Sequence, residues 1–430
     1  MRTATLLALS LLTLAPQSEA LTLACGRVFD SASGKLLGPH TVTVSDGRIT
    51  AVTPGAPAAG VDAVDHSQQV CLPGLIDLHT HISNFESSPQ SYSEVFRLNP
   101  GDYALRAALN ARKTLRAGFT TIRDLGDTGG ASLALRNAIN QGIAEGPRIY
   151  TAGKSIATTG GHADPTNGRS QALQGKPGPS DGVINGPEEA AAAVRYRYKE
   201  GADLIKITAT GGVLSYAKNG LNPQFTQEEA NAIVAAAKDY GFAVAAHAHG
   251  KEGIRRAILA GVTSIEHGSF LDEDLFPLMK EHHTWYVPTL LAGWWTASKA
   301  NEPGYYPPIV AAKAKAISPV MQSTFNKAYK AGVKIAFGTD TGVSPHGMNA
   351  KEFKLMVDAG MPPAEAIQAA TRNAAEVLGM SAEIGAIAPG HYADIVVVAG
   401  DPIADITQLE HPLMTYKDGV AYAPLAAAGP

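Results

Sequence analysis

Residues 187–209 read PEEAAAAVRYRYKEGADLIKITA. The stretch up to Gly201 is alanine-rich and amphipathic and stops at a glycine, as helix C-caps do. The stretch 203–209, DLIKITA, is a strand-like run of apolar and β-branched residues with Lys206 at its centre. A buried ammonium is costly unless it is paired or loses its charge. The segment therefore predicts a helix followed at once by a buried strand, and it leaves the lysine to be explained.

The same alternation extends in both directions. Strand candidates are GLIDLH, FTTIRDL, RIYTAGK, DLIKITA, FAVAAH, VTSIEH, TWYVPT and VKIAFGTD; between them lie helical stretches such as YALRAALNARKTLRAG, TQEEANAIVAAAKDYG and VMQSTFNKAYKAG. Eight strands alternating with helices predict an α/β protein built on a parallel (β/α)8 TIM barrel, with its active site at the C-terminal strand ends. The structural alternative is a doubly wound sheet, but no glycine-rich phosphate fingerprint follows the first strand. From Leu21 to about Pro73 short strands alternate with turn signals such as SDGR, and GHYADIVVVAGDP and MTYKDGVAYA resume that style near the C-terminus. The expected organisation is a small β-sandwich domain formed by 21–73 plus 385–430, and a metal-dependent hydrolase barrel over 74–384.

The chain has 430 residues, 45% hydrophobic and 17% charged, with a net charge of −4. It lacks a sustained Lys/Arg run, so neither nucleic acid nor an anionic membrane is an expected partner. Arg2, the apolar ATLLALSLLTLA and the small residues of SEA make residues 1–20 an expected secretory signal peptide, too short to span a bilayer. The mature chain is expected in a periplasm or outside the cell. Cys25 and Cys71 are the two cysteines. They read either as a disulfide of an exported protein or as two small buried thiols.

Chemistry gathers at the strand ends. The first strand offers His79 and His81, which share a side because residues two apart in a strand do. The fourth offers Lys206, the fifth His247, the sixth His267 and the eighth Asp340. One histidine is usually structural. Metal-type ligands from several strand ends on the catalytic rim of one barrel point to a metal site.

LPGLIDLHTHI, LIKITATGG, AAHAHG, SIEHGS and FGTDTG, in this order, resemble the metal-dependent amidohydrolase superfamily. Within it the chain is similar to the Xaa-Pro dipeptidase and imidazolonepropionase-like branch, which includes bacterial ochratoxin-hydrolysing amidohydrolases. The resemblance implies two Zn²⁺ ions, other divalent metals also suiting this ligand set. His79, His81 and Asp340 would hold the first, His247 and His267 the second, and Lys206, as a CO2-derived carbamate, would join them. It implies hydrolysis of an amide bond to a C-terminal amino acid, in Xaa-Pro dipeptides, carboxypeptidase-like substrates or N-acyl amino acids, with ochratoxin A split to phenylalanine and ochratoxin alpha as one instance. A metal-bridging hydroxide would attack, with Asp340 moving the proton. It also implies a homo-oligomer, up to an octamer. Desolvation agrees with the role of Lys206, since it favours the neutral, nucleophilic amine.

His162 and Tyr216, in loops after the third and fourth strands, are candidates to hold a substrate carboxylate, as a histidine and a tyrosine do in related dipeptidases. His249 and His346 are further substrate-binding candidates, whereas His282 and His283 precede the seventh strand and read as structural. The loop 160–187 reads as a lid, an interface element or a plain insertion. The aromatic segment LLAGWWTASKANEPGYYPP, 290–308, reads as a substrate wall, a subunit contact or core packing. The enzymatic alternative is a mononuclear imidazolonepropionase-like cyclic amidase or deaminase, against which Lys206 counts because those enzymes lack it. The non-enzyme alternative is a superfamily scaffolding protein, against which the filled ligand positions count.

Overall fold

The computed structural model describes residues 21–216 and 219–425; the expected signal peptide lies outside the described residues. Five strands come first: β1 (Leu21–Asp30), β2 (Lys35–Leu37), β3 (His40–Ser45), β4 (Arg48–Pro54) and β5 (Val64–Pro73). Nine follow: β6 (Leu75–Thr80), β7 (Phe119–Asp124), β8 (Arg148–Thr151), β9 (Ala157–Thr158), β10 (Val183–Ile184), β11 (Ile205–Thr208), β12 (Val244–Ala248), β13 (Ser264–His267) and β14 (Trp285–Val287). The chain ends with β15 (Ile395–Val398), β16 (Met414–Lys417) and β17 (Val420–Tyr422).

The terminal strands make one continuous eight-stranded sheet in the order β17-β16-β15-β5-β1-β3-β4, with β2 also on β1. The two ends of the chain meet where β15 runs antiparallel to β5, Val397 opposite Cys71. The sandwich expected from the sequence is thus hydrogen-bonded as a single sheet, because β5 pairs with β1 on one edge and β15 on the other. Leu23, Val42, Ile49, Ile395 and Val397 bury its apolar face. Cys25 and Cys71, on the paired strands β1 and β5, are joined by a disulfide with their Cα atoms 6.0 Å apart.

The middle of the chain is a mixed α/β unit. Parallel strands form the sheets β6-β7-β8 and β11-β12-β13-β14. Every residue of β6, β7 and β11 to β14 is buried, as befits parallel strands covered by helices. The helix Pro187–Glu200 starts on proline and ends at Gly201, whose φ of 86° is a left-handed cap that glycine adopts without strain. The expected eighth strand is irregular. Tyr286 pairs with Ile335 and Thr80 with Thr341 in single parallel bridges. Backbone bonds flank the segment on both sides, Leu78 N–H to Phe337 O at 3.0 Å and Asp340 N–H to His79 O at 2.7 Å on one, Ala336 N–H to Tyr286 O at 3.0 Å on the other. Between them the buried Asp77 carboxylate accepts the Thr339 N–H at 3.0 Å and the Thr339 hydroxyl at 2.6 Å.

The disulfide closes a loop spanning a sequence separation of 46 residues. Replacing both cysteines, Cys25→Ser with Cys71→Ser, should cost about 2–4 kcal/mol by releasing that loop in the unfolded chain. Chemical denaturation checks this: the wild type in reductant should converge on the variant.

Candidate metal centre

The side chains converge at the C-terminal ends of the parallel strands. His79 stands in β6 and His81 just beyond it, Lys206 in β11, His247 in β12, His267 at the end of β13 and Asp340 at the end of the irregular eighth segment. Two clusters have ligand atoms within 4.8 Å of one another: His79, His81 and Asp340 in one, His247, His249 and His267 in the other. Lys206, 3% exposed, places Nζ 3.3 Å from His79 Nε2.

The outer hydrogen bonds set which nitrogens point inward. His79 Nδ1 donates to Glu266 at 2.9 Å and His81 Nδ1 to the Gly126 carbonyl at 2.7 Å, which leaves each Nε2 a lone pair. His247 Nε2 donates to the Gly211 carbonyl at 3.1 Å, which leaves Nδ1. The Thr289 hydroxyl donates to Pro288 O, so it accepts from His267 Nδ1 at 2.7 Å and frees Nε2. Asp340 Oδ1 lies 3.5 Å and 3.2 Å from the Nε2 atoms of His79 and His81, and no hydrogen bond reaches it. Acceptors that face one another, with the Lys206 amine beside His79 Nε2, fit a cation, and histidine with carboxylate is a donor set for zinc, manganese or cobalt.

Burial sets the charge states. It lowers Lys206 to about 8 against the attraction of Glu266 and Asp340, and lowers His79 to about 4, with Lys206 adding to the effect. Burial raises Glu266, but the Arg123 guanidinium and His79 hold it at about 2. His247 and His267 are likewise held neutral by burial. At His81 burial is overcome by the Asp340 and Asp124 carboxylates, which raise it, and at Asp340 burial is overcome by the facing His79 and His81, which lower it.

A buried network behind the ligands carries no mark in the sequence reading above. Arg123 donates to Glu266 at 2.8 Å, to Ser264 at 3.1 Å and to the Leu78 carbonyl at 2.6 Å. Asp77 ties the His79 N–H, Thr339 and Asn349 together. Asp340 and His267 have φ of 60° and 70°, a left-handed conformation that non-glycine residues hold only under strong external constraint. Glu352, fully buried, accepts the N–H groups of Leu290 and Leu291 at 2.8 and 2.6 Å; this anchors the helix Leu290–Lys299 directly after Thr289.

The ligand cluster opens on a cavity of about 230 Å³ whose apolar wall includes Val213, Leu214, Ala292, Ile317 and Met321. His162 and His249 line it. His162 stacks on His247 at 4.3 Å, a fit that Gly212 permits because a Cβ there would run into the His162 ring. Tyr216 does not line the cavity: it is 46% exposed, edge-on to Tyr92. His346 is buried behind the site, 3.3 Å from the His81 carbonyl. The aromatic segment contributes Ala292, Gly293 and Thr296 to the cavity; Trp294 and Trp295 are not among its walls, and Tyr305 and Tyr306 bond Ser87.

A model of the amidohydrolase family matches residues 70–421. The chain belongs to the amidohydrolase family. An ochratoxinase of Aspergillus niger is 35% identical over 362 residues, 81% of this chain and 74% of the relative. An imidazolonepropionase of Rhizorhabdus wittichii is 27% identical over 387 residues, 83% and 87% of the two chains. The crystal structure of a Xaa-Pro dipeptidase with methionine bound in its active site superposes with a TM-score of 0.91 at 47% identity, covering 94% of this chain and all of that one. Family and relatives together make this amidohydrolase a hydrolase of carbon–nitrogen bonds.

Glu266→Gln keeps the size of the side chain but weakens its hold on His79 and Arg123. Divalent-metal affinity should fall 10- to 100-fold, the usual effect of losing a carboxylate behind a ligating histidine. Metal titration followed by competition with a chelator measures it; unchanged affinity would show that His79 is oriented without Glu266.

Proposed function

We propose that this amidohydrolase binds two divalent metal ions, zinc being the first expectation, and hydrolyses the amide bond to a C-terminal amino acid. The observation that carries the reading is Lys206: a buried amine with its pKa pulled down to about 8, set against the ligand histidines and a carboxylate. An ammonium there would repel cations. A neutral amine can add to CO2 and lose a proton, giving an anion that attracts them. We assign His79, His81 and Asp340 to one ion, His247 and His267 to the other, and carbamylated Lys206 to both. When bound, the ions supply a Lewis acid for the scissile carbonyl and make water acidic enough to act as nucleophile.

The chain's own groups do the rest. Asp340, an ionised carboxylate with one oxygen unengaged, accepts the proton of the attacking water and returns it to the leaving nitrogen. His249, its ring parallel to that of His267, and His162, whose Nδ1 is buried without a partner, contact the substrate. The apolar wall suits a medium-sized aliphatic side chain, and the Xaa-Pro dipeptidase relative holds methionine in its active site.

The same proposal reads the parallel strands as one closed (β/α)8 barrel. Support comes from contacts that join the two sheets at both ends: Ile156 bridges to Ile207, Tyr286 to Ile335, and Thr80 to Thr341. Export to an oxidising compartment completes the reading, supported by the Cys25–Cys71 disulfide.

The test measures metal per chain and assays Xaa-Pro dipeptides, N-acyl amino acids and cyclic imides side by side. Two ions and release of a free amino acid are expected; one ion with ring opening would sink the reading. Lys206→Ala should lose one or both ions and nearly all activity, with partial recovery on adding a short-chain carboxylate. Full activity in that variant would remove the carbamate.

A further inference from the structure

The helix Pro100–Arg116 lies between β6 and β7 and packs one face inward, burying Tyr103, Ala107, Asn110, Ala111, Thr114 and Leu115. Asn110 donates to the carbonyls of Ile82 and Asn84, both at 2.9 Å, and so ties the helix to the turn just past His81. The opposite face carries large apolar groups into solvent. Leu105 is 76% and Leu109 42% exposed. Exposed Asp102 and Arg112 bracket them on the same helix. At about 100° per residue these four positions fall within about 80° of the helix circumference, on the side away from the buried residues.

Single apolar residues on a surface need no explanation. Two leucines bracketed by opposite charges, at steps of three, four and three residues, have the spacing of a helix–helix seam. The pattern is also its own complement. Asp102 and Arg112 are equally far from Ala107, as are Leu105 and Leu109, so a two-fold axis level with Ala107 sets each acid against an arginine and each leucine against a leucine. Neither charge is fully occupied within the chain. Asp102 uses one oxygen for the Asn99 N–H at 2.8 Å, and Arg112 reaches Glu145 only at 3.7 Å, where Arg116 already holds that carboxylate at 2.5 and 3.1 Å.

We infer that this stripe is a two-fold contact between copies of the chain, in which the helix Pro100–Arg116 runs antiparallel to its counterpart. Such a contact uses one patch twice, which is what the charge pattern permits. Further apolar groups widen it at both ends. Val95 and Phe96 are exposed just before the Asp102 end, and Ile143, 75% exposed, lies two residues from Glu145 at the Arg112 end. The axis that pairs the leucines turns these groups toward one another. The inference goes beyond the amide-hydrolase reading and holds whatever the substrate: it gives the expected homo-oligomer a stated face and symmetry.

Sedimentation velocity on the full chain, from nanomolar to micromolar concentration, tests it. Wild type should form a dimer or an even-numbered assembly. Leu105→Glu with Leu109→Glu should shift it toward smaller species and raise the dissociation constant of the contact roughly 100-fold or more, as loss of central apolar anchors does. Both leucines are exposed in the single chain, so the circular dichroism of that variant at high dilution should match wild type. Asp102→Lys and Arg112→Glu should each weaken association roughly 10-fold, since each places like charges together twice across the axis. Combining the two reversals should restore it. The Asn99 hydrogen bond is lost in Asp102→Lys and in the double variant alike, so only the re-formed pair accounts for recovery. A monomer at every concentration, an assembly indifferent to the leucine substitutions, or reversals that fail to compensate overturns the assignment.

Discussion

Lone pairs of His79, His81, His247 and His267 and an unengaged oxygen of Asp340 are turned toward one another. Left unmatched, each buried acceptor costs about 1–3 kcal/mol. Together they approach the whole stability of a typical domain, about 5–15 kcal/mol. Such an arrangement persists only where a rigid frame imposes it, and a cation held there would relieve it. The frame is visible in the strained φ of His267 and Asp340 and in the carbonyls of Gly126 and Gly211, which fix the imidazole tautomers. Parallel strands suit this purpose, because each delivers a side chain to the same end of the sheet at a spacing set by backbone hydrogen bonds.

Charge within that frame is balanced in layers. Glu266 lies between Arg123 and His79, so the guanidinium offsets the carboxylate and the carboxylate aligns the imidazole. Removing one partner would leave an uncompensated buried charge, a larger loss than breaking a surface pair. Lys206 has no such dedicated partner: its nearest contact is a histidine lone pair. The asymmetry separates the two buried cations. Arg123 is paired as structure, whereas Lys206 is held ready to lose its proton.

The convergence of His79, His81, Lys206, His247, His267 and Asp340 was legible in the sequence because each lies in or just beyond a strand candidate, and strand ends can be read from apolar runs and turn residues. The supporting network was not read, although its signal is the one that exposed Lys206. FTTIRDL, SIEH and GLIDLH each carry a charged residue inside a buried run, and these are Arg123 with Asp124, Glu266 and Asp77. What the sequence cannot supply is the pairing: Arg123 meets Glu266 across 143 positions, and Asp77 meets Asn349 across 272. The irregularity of the eighth segment escaped for the same reason, since its Thr339 N–H turns to a carboxylate of the first parallel strand while its neighbours keep backbone bonds. The aromatic segment left three readings open, and core packing is the one met by Trp294, Tyr305 and Tyr306. Trp294 and Trp295 lie on a helix whose cavity-facing positions are Ala292, Gly293 and Thr296, and helical phase decides that where composition cannot.

A division of labour follows. Residues that hold ligands are locked by buried charge and strained backbone, so substituting them changes metal binding before it changes substrate choice. The walls that meet a substrate come from elsewhere: the loop after β8, the stretch after β11 that brings Val213 and Leu214, and the helix Leu290–Lys299 with its small residues. Small side chains at Ala292 and Gly293 set the depth of the metal cavity, and Glu352 fixes the helix that carries them. Changes confined to these walls alter shape and charge around the scissile bond without disturbing the inward-facing lone pairs, so one ligand frame can serve amides of different size and polarity.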